Sequence, residues 1–289
     1  MADYKKRLKK NVPGNFYVDK TCINCDACRQ LAPKVFSEDS GFSYVYKQPK
    51  DELNERQALE ALLACPTHSI GALKTNLKAR NVMHDFPLWI ADNVFYLGFH
   101  SDKSFGASSY FIEDPQGNWM IDSPRYQKFL CQQIREKGGL KYIFLTHQDD
   151  IADAEKYARE FGAQRILHKY DANKNHNVEI LIQHSRAFFF TKDFLIIPTP
   201  GHTKGHCVLL YKNKFLFSGD HLWWSRRTHS LGASKQVCWY SWEKQLESLK
   251  KLLEYRFTYV LPGHGRRVNY PNITMHQALE HAIFRLESI

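Results

Sequence analysis

Residues 194–206 read FLIIPTPGHTKGH, an apolar run typical of a buried strand that leads through a glycine directly to His202. Four strand-like runs in the chain end in this way at an imidazole or a carboxylate, and in three of them a glycine immediately precedes that residue. Glycine permits tight turns and close backbone approach, and α/β folds carry their chemistry on loops at strand ends. We therefore predict that these four ends form one site. The segments are KYIFLTH (141–147) with His147, FLIIPTPGH (194–202) with His202, KFLFSGD (214–220) with Asp220 and YVLPGH (259–264) with His264.

The chain after residue 88 alternates short strand-like segments with helical patterns. Residues 241–255 place apolar side chains on one face at helical period. Residues 274–288 begin with Thr274 and carry Gln277 three positions later, which is typical of a capping box. A mixture of strands and helices predicts a layered α/β domain. The predicted strands are Tyr110–Glu113, Trp119–Asp122, Lys141–Thr146, Arg165–His168, Phe194–Pro198, Val208–Tyr211 and Lys214–Ser218.

The size and composition of the chain favour a globular protein with an ample core. Its 289 residues are 43% hydrophobic and 14% aromatic, which predicts one large domain or two unequal ones. No apolar run reaches membrane-spanning length, so we expect no membrane span. The N-terminus lacks the apolar segment of a secretory signal. We therefore expect the protein in the cytoplasm or in another reducing compartment, such as an organelle stroma.

The charge balance is strongly basic, with a formal net charge of +10 and five Lys or Arg residues among the first ten. Such a surface favours acidic partners, and an acidic electron carrier, ferredoxin or flavodoxin, is the partner that we expect. A solvated basic tail with no partner is an equally good interpretation. Nucleic acid is a weaker candidate, because the chain has no nucleic-acid-binding signature.

The cysteines of the N-terminal part form a metal-binding pattern. The segment CINCDAC places Cys22, Cys25 and Cys28 three residues apart, and Cys65 follows much later, directly before Pro66. A Cys-x-x-Cys-x-x-Cys loop can supply three corners of an iron–sulfur cube, and a distant Cys-Pro can close the fourth. Zinc also accepts four thiolates, but its sites usually pair two Cys-x-x-Cys knuckles. The pattern therefore predicts one [4Fe–4S] cluster. The remaining cysteines are isolated and are expected to be buried apolar residues: Cys131, Cys207 and Cys238.

The segments YVDKTCINCDACRQLAPKVF and LLACPTHSI resemble a single-cluster bacterial-type ferredoxin domain, which implies an electron-carrying role. The helix before the Cys65-Pro66 pair should stop there, because proline cannot continue it. The predicted organisation is a basic tail, a ferredoxin-like domain, a linker and a second domain. Their bounds are 1–14, 15–75, 76–88 and 89–289.

The motifs TPGHTKGH, SGDHLW and LPGHG, in this order, resemble the metallo-β-lactamase superfamily, with matches comparable to those of glyoxalase II, persulfide dioxygenases and flavodiiron proteins. The resemblance implies a four-layer αββα sandwich with metal at one edge of its two sheets. The fold class that we predict is therefore α/β, a four-layer αββα metallo-β-lactamase sandwich with a small α+β ferredoxin-like domain at the N-terminus.

The chain departs from the superfamily in its first motif, His-x-His-x-Asp-His. Aligned from His147, the second histidine is Asp149, which can still bind a hard metal. The last two positions are Ile151 and Ala152, which bind none, so the resemblance implies loss of the second metal. His147, His202 and Asp220, with Asp149 as a fourth ligand, predict a mononuclear site.

Three questions about this site stay open at the level of the sequence. The metal is iron, as in the persulfide dioxygenases that this set of positions resembles, or zinc, or the site is empty. His264 is a metal ligand, a substrate-binding group or a hydrogen-bond partner. Asp150 and Asp153 are expected at a helix N-terminus, where the helix dipole favours acids, and Asp153 replacing the lost aspartate is a weaker alternative. His206 and His221 are expected to be structural.

Three functions follow from these patterns. The first is a redox protein in which the [4Fe–4S] domain exchanges electrons with a mononuclear, non-haem iron centre acting on a small-molecule substrate. A zinc-dependent, thioesterase-like hydrolase with a structural or regulatory cluster is the second. The third is a non-catalytic redox sensor or assembly factor with an empty second site. A homodimer that brings the two centres together is a further expectation.

Overall fold

The computed structural model of the protein describes residues 2–74, 81–172 and 178–288. The chain divides into two compact units, each built from two stretches of sequence. The first unit comprises Met1–Lys141 and Ala152–Gly162, and the second comprises Tyr142–Ile151 and Ala163–Ile289. No helix of the described residues is long and apolar enough to cross a membrane.

The N-terminal part of the first unit is a small α+β arrangement. Two antiparallel strand pairs, β1 with β4 and β2 with β3, accompany two helices. The second helix begins after Asp51, whose carboxylate accepts a hydrogen bond from the N–H of Asn54 at 2.8 Å, and it ends at Ala64. The predicted stop before Cys65-Pro66 is confirmed. The bounds are β1 Phe16–Val18, α1 Ala27–Leu31, β2 Phe36–Asp39, β3 Phe42–Val45, α2 Glu52–Ala64 and β4 Ile70–Ala72.

The basic N-terminal segment is held along β1 by its backbone. The N–H of Leu8 donates to the carbonyl of Val18 at 2.9 Å, and the backbones of Arg7 and Asp19 form an isolated antiparallel β-bridge. The side chains of Lys5, Lys6 and Lys9 remain exposed. The backbone of this segment thus pairs with β1 and the residue after it, while its lysines form an exposed basic surface.

Among the described residues, the rest of the first unit contains four antiparallel strands and two further helices. β5 to β8 pair with one another in sequence order. The predicted strands Tyr110–Glu113 and Trp119–Asp122 are confirmed as β7 and β8. Residues 76–80 of the predicted linker lie outside the described residues. The bounds are β5 Leu88–Ala91, β6 Val94–Tyr96, β7 Tyr110–Ile112, β8 Trp119–Ile121, α3 Lys128–Glu136 and α4 Ala154–Phe161.

The second unit contains three parallel strands, a six-stranded sheet, a small ribbon and two helices. β10 pairs in parallel with β9 and β11, and the six-stranded sheet has the order β12-β13-β14-β15-β18-β19. Within that sheet β15 and β18 are parallel and the other neighbours are antiparallel. The bounds are β9 Tyr142–Phe144, β10 Gln164–His168, β11 Ile180–Ile182, β12 Phe188–Thr191, β13 Phe194–Pro198, β14 Cys207–Tyr211, β15 Phe215–Gly219, β16 Trp223–Ser225, β17 Ser230–Gly232, α5 Trp242–Leu252, β18 Tyr259–Pro262, β19 Val268–Asn269 and α6 Asn272–Glu287.

The core of the second unit forms where the two helices pack on this sheet. β13, β14 and β15 are buried along their whole length, which is why they read as nearly continuous apolar runs. Leu249 of α5 and Leu279 of α6 belong to the same buried cluster as Val208 of β14. Apolar packing between these layers therefore fixes the strands whose ends carry the site.

The start of α6 corrects one prediction. The helix begins at Asn272, directly after Pro271, and the predicted capping box at Thr274 is wrong. Pro271 occupies the N-cap position, where the missing backbone N–H of proline breaks no helical hydrogen bond, so the helix starts beside Pro271 and Thr274 lies in its first turn.

Candidate metal centre and cluster site

The parallel pairing of β15 and β18 brings two of the predicted ligands together. Gly219 is paired with Pro262, and the N–H of Gly263 donates to the carbonyl of Gly219 at 2.8 Å. Because both strands run in the same direction, their carboxyl ends lie side by side. Asp220 and His264 follow directly and meet at this edge.

The other two ends reach the same edge through backbone contacts. The N–H of Cys207, which begins β14, donates to the carbonyl of Thr146 at 2.8 Å. The N–H of Thr199, after β13, donates to the carbonyl of His206 at 2.8 Å, which closes the loop that carries His202. His147 and His202 therefore face each other, with ring centroids 4.7 Å apart.

The glycines before the ligands are needed for close approach. A Cβ atom on Gly263 would lie 2.5 Å from Asp150 Oδ2 and 3.0 Å from Asp220 Oδ1. Gly219 has a φ of +49°, and a Cβ there would lie 2.6 Å from Thr146 Oγ1. The role predicted for these glycines, to let the backbone approach the site, is confirmed at both positions.

Four ligand-type atoms converge in a compact group. His202 Nε2 lies 3.3 Å from Asp149 Oδ2 and 3.8 Å from Asp220 Oδ2, and His147 Nε2 lies 3.9 Å and 3.8 Å from the same two oxygens. Metal bonds of about 2.0–2.2 Å in tetrahedral geometry place ligand atoms roughly 3.3–3.6 Å apart. One ligand-type atom from each of His147, Asp149 and His202 lies within 4.8 Å of the others, so these three form a first candidate metal group, and Asp220 Oδ2 lies 3.8 Å from both imidazoles.

The histidines of this group are prepared for metal binding. The two Nε2 atoms of His147 and His202 are buried and make no aligned hydrogen bond within the described part of the chain. His147 Nδ1 contacts Thr146 Oγ1 at 2.9 Å, which fixes the ring and leaves Nε2 for a metal. Burial lowers the pKa of His147 to about 4, so its imidazole is neutral, as a ligand must be.

The carboxylates of the group are kept ionised by the imidazoles. Contact with His202 lowers the pKa of Asp149. Burial by itself would raise the pKa of Asp220, but the nearby His264, His147 and His202 outweigh burial and lower it. Ionised carboxylates beside imidazoles form a donor set that suits a divalent cation, so these residues fit the metal that the sequence predicts.

His264 meets the group through Asp220. Its Nδ1 lies 2.8 Å and 2.9 Å from the two carboxylate oxygens of Asp220, and its backbone N–H donates to Oδ1 at 3.1 Å. Of the three roles left open, this geometry supports the hydrogen-bond partner, which orients the carboxylate. Metal ligation by His264 stays a prediction.

Asp150 is a site residue that sequence reasoning missed. It was expected at a helix N-terminus, but it is buried in a short 3₁₀ turn, Gln148–Asp150. One ligand-type atom from each of His147, Asp150 and Asp220 lies within 4.8 Å of the others, so these three residues form a second candidate metal group. The sequence did contain a signal for Asp150, because two acids, Asp149 and Asp150, follow His147 closely. A position-by-position comparison with the family motif does not detect it, because Asp150 falls on a position that the motif leaves open.

Asp153 has no part in either metal group. It occupies the N-cap position of α4, as expected. Its carboxylate binds Lys103 Nζ at 2.7 Å and accepts the N–H of Tyr126 at 2.9 Å. These contacts in the first unit account for its charge, and the alternative that Asp153 replaces the lost aspartate has no support.

Asp171 is a second residue that was missed, and it holds two ligand loops. Its carboxylate accepts hydrogen bonds from Thr203 Oγ1 at 2.5 Å, from the N–H of Gly205 at 2.6 Å and from the N–H of Gln148 at 3.2 Å. It therefore connects the loop after His147 with the loop after His202. The sequence signal that could have indicated Asp171 is its position three residues beyond the end of β10, another strand end.

His206 and His221 are buried beside the group, as expected of structural residues. Thr199 Oγ1 contacts His206 Nδ1 at 2.9 Å, and Gln245 Nε2 donates to the carbonyl of His221 at 2.8 Å. Burial lowers the pKa of both, to about 3 for His221, so both rings are neutral.

The four predicted cluster ligands line one cavity in the first unit: Cys22, Cys25, Cys28 and Cys65. The N–H of Asn24 donates to Cys22 Sγ at 3.4 Å, and the N–H of Ser69 donates to Cys65 Sγ at 3.3 Å. Such N–H···S bonds are characteristic of iron–sulfur sites and tune their potential. The donor set and its surroundings therefore fit a [4Fe–4S] cluster.

Burial disfavours the thiolate form of two of these cysteines, Cys25 and Cys28. It raises the pKa of Cys25 to about 12 and also raises that of Cys28. Thiolates are the ligands of iron, and a bound metal deprotonates a coordinating thiol. A bound metal would therefore have to offset the burial of Cys25 and Cys28 to hold them as thiolates.

Comparison with known proteins identifies both parts of the chain. A family model described as "4Fe-4S single cluster domain of Ferredoxin I" matches residues 18–72. A second, described as "Metallo-beta-lactamase superfamily", matches residues 103–264. Together these matches include every cysteine and histidine that the sequence analysis assigned to a site.

Curated relatives include hydroxyacylglutathione hydrolases. The protein of Rhizobium meliloti (strain 1021) is 33% identical over 106 residues, covering 35% of this chain and 41% of that protein. That of Buchnera aphidicola subsp. Acyrthosiphon pisum (strain APS) is 31% identical over 117 residues, covering 39% and 46%. The chain thus matches less than half the length of these relatives.

Solved structures share the fold. The DIM-1 metallo-β-lactamase has a TM-score of 0.54 at 18% identity and covers 68% of this chain and 95% of its own. A metallo-β-lactamase from Pontibacter korlensis has a TM-score of 0.53 at 16% identity and covers 70% and 98%. The predicted fold class is confirmed as an α/β lactamase-type fold with two mixed sheets and a small ferredoxin-type domain.

Proposed function

Because the chain belongs to the metallo-β-lactamase superfamily and carries a 4Fe-4S single-cluster domain before it, we propose that it is an oxidoreductase. In this proposal the cluster exchanges electrons with one iron ion in the lactamase-type site. The observation that carries it is the placing of the His147 and His202 Nε2 atoms 3.3–3.9 Å from the carboxylates of Asp149 and Asp220, in the same chain as the cluster cysteines. A cluster that carries single electrons has no evident use in hydrolysis.

The donor set supports iron. Two histidines and a carboxylate with open positions are the pattern of mononuclear non-haem Fe(II) sites, and here His147, His202 and Asp220 supply them. Such an iron, when bound, supplies a redox-active centre for a small oxidant such as dioxygen. Asp149 is the exposed member of the group, with 43% of its side chain accessible, so small molecules reach the site on its side.

The surrounding residues would hold the ligands in place during turnover. Thr146 fixes the ring of His147 through Nδ1, and His264 orients the carboxylate of Asp220. Asp171 keeps the two histidine loops together. These contacts restrict the movement of the ligand side chains, so a coordination position on the metal would stay open for substrate.

Metal analysis of protein purified without oxygen tests the proposal. Four irons of the cluster plus one are expected in each chain. His147→Ala and His202→Ala should each lose the additional iron and keep the cluster, whereas His276→Ala, an exposed histidine on α6, should keep both. Four irons with zinc in the second site, or with that site empty after iron loading, would overturn the proposal.

A metal-dependent hydrolase acting on thioesters is the second candidate, favoured by the similarity to hydroxyacylglutathione hydrolases. In that case a zinc ion in the same group would activate water, and the cluster would be structural or regulatory. Zinc-loaded protein should then hydrolyse at least one member of a panel of thioester, lactam and phosphodiester substrates, and Asp220→Asn should abolish this activity. Uniform inactivity across the panel would remove this candidate.

A further inference from the structure

The loop after β6 forms part of the wall around the cluster cysteines. A Cβ atom on Gly106 would lie 2.6 Å from Cys25 Cβ and 3.2 Å from both Cys25 Sγ and Pro66 Cγ. Gly106 also has a φ of +84°, a conformation that favours glycine, and its carbonyl contacts the buried ring of His100. Residues within the lactamase-type match therefore lie directly against a ligand of the cluster.

Arg125 joins the same loop to the end of α2. Its Nη1 donates to the carbonyl of Cys65 at 2.7 Å and to the carbonyl of His100 at 3.0 Å. Its Nη2 donates to the carbonyl of Leu63 at 2.5 Å. The guanidinium of Arg125 thus binds the backbone carbonyl of Cys65, the fourth cluster ligand, at the point where α2 ends.

The charge of Arg125 has no carboxylate partner within 4.0 Å in the part of the chain that the structure describes. Its Nε atom is buried and makes no hydrogen bond there. A partly buried cation without a counter-ion is costly, whereas a cluster held by four thiolates carries net negative charge in both redox states.

We propose that Arg125 is the counter-charge of the [4Fe–4S] cluster and raises its reduction potential. Reduction adds one negative charge to the cluster, so a nearby fixed cation stabilises the reduced form more than the oxidised form. Arg125 acts as a positioning residue for Cys65 and as an electrostatic one for the cluster. The lactamase-type part of the chain thereby sets a property of the ferredoxin-type domain, whichever reaction its own metal site performs.

A purely structural role is the alternative, since arginine often binds the last carbonyls of a helix. Two substitutions separate charge from hydrogen bonding. Arg125→Gln keeps donors without charge, and Arg125→Lys keeps charge with fewer donors. Arg159→Gln, on the exposed face of α4 in the same unit, is the matched control.

The test is a redox titration of reconstituted, full-length protein followed by electron paramagnetic resonance of the reduced cluster. At a fixed applied potential, Arg125→Gln should lower the ratio of reduced to oxidised cluster at least tenfold, a shift of about 59 mV for one electron. Arg125→Lys should stay within about threefold of wild type, and Arg159→Gln should be unchanged.

Iron content and thermal unfolding are measured on the same samples. A wild-type potential in Arg125→Gln overturns the proposal even if the variant is less stable, because a structural role alone predicts that result. An equal shift in Arg125→Lys and Arg125→Gln also overturns it. If Arg125→Gln fails to hold iron, the proposal stands only if Arg125→Lys holds the cluster at the wild-type potential.

Discussion

Asp171 organises the metal site without taking part in either candidate metal group. Its carboxylate accepts the N–H of Gln148, the N–H of Gly205 and the hydroxyl of Thr203. A Cβ on Gly205 would lie 2.5 Å from Asp171 Oδ1, so the loop is fitted closely around this carboxylate. Groups that orient ligands in this way commonly control metal affinity.

Replacing Asp171 should therefore weaken metal binding. Asp171→Ala leaves two backbone N–H groups without their acceptor and frees both histidine loops. We expect the affinity of the His/Asp site for zinc or iron to fall about 10–100-fold, measured by competition with a chelator. The control variant Asp193→Ala, at the turn between β12 and β13, should keep wild-type affinity. An unchanged metal affinity in Asp171→Ala would show that the two histidine loops keep their positions without the Asp171 carboxylate.

Glu60 on α2 is a titrating group outside both sites. Burial raises its pKa to about 7, and the neighbouring carboxylate of Asp85 adds to the effect. Asp85 itself accepts a hydrogen bond from Arg56 Nε at 2.6 Å. The folded protein therefore favours protonated Glu60 at pH values where the unfolded chain has lost that proton.

This shift predicts a stability change with pH. The contribution of Glu60 is fully present below about pH 4.5 and is lost as pH rises through about 7, because the folded state then binds the proton more tightly than the unfolded state. After allowance for solvent screening we expect the free energy of unfolding to fall by about 1 kcal/mol between pH 5 and pH 8. Urea unfolding of Glu60→Gln should lack this decline, whereas Glu52→Gln should show it in full.

At the scale of elements, the position of the metal site is set by the carboxyl ends of the strands that carry its residues. β15 and β18 run in parallel, and each is followed at once by a site residue, Asp220 or Gly263-His264. The backbone at Gly263 passes so close to two carboxylates that no side chain fits. Strand direction and glycine placement therefore act together to concentrate ligands at one edge.

Gly263→Ala tests this close approach. The added methyl group would meet Asp150 Oδ2 at 2.5 Å and Asp220 Oδ1 at 3.0 Å, so at least one carboxylate must move. We expect metal affinity at the His/Asp site to fall at least tenfold while the cluster is retained, by metal analysis after dialysis. Gly232→Ala is the matched control, because the nearest atom to its Cβ, Arg285 Nη2, is 3.6 Å away.

On the scale of the whole molecule, the basic surface of the first unit runs beside the cluster site. The N-terminal segment is bonded to β1, and Val18 of β1 lines the cavity of the four cysteines. Exposed Lys5, Lys6 and Lys9 on this segment contribute to the net charge of +10. We propose this surface as the docking face for an acidic electron carrier, since opposite charge accelerates encounter.

Charge reversal on this surface should slow electron delivery. The triple variant of Lys5, Lys6 and Lys9 to Glu should reduce the rate of cluster reduction by an acidic ferredoxin at least tenfold at low ionic strength, in stopped-flow measurements. The difference from wild type should shrink as salt is added. The control is the same charge reversal at three exposed lysines of the second unit, Lys192, Lys235 and Lys244, and it should have little effect on the rate. Equal slowing by the two triple variants would show that the rate depends on net charge alone.

Much of this architecture was readable before the structure. Apolar runs at Phe194–Pro198 and Lys214–Ser218 predicted strands that exist, because a strand buried on both faces must be apolar throughout. The cysteine spacing indicated the cluster site, because iron–sulfur ligation imposes its own sequence pattern. Asp150 and Asp171 escaped prediction, since neither carries such a local pattern.

The sequence by itself determined the elements, the two families and the residue types at each strand end, because these depend on local periodicity, backbone requirements and ligand chemistry. Only the tertiary structure decided which carboxylates meet His147, because that depends on the parallel register of β15 with β18 and on a short turn that points Asp150 inward. It likewise decided that Arg125, sixty residues beyond Cys65, holds that ligand through its carbonyl. Contacts between distant residues follow from packing, and packing has no short-range signature in a chain.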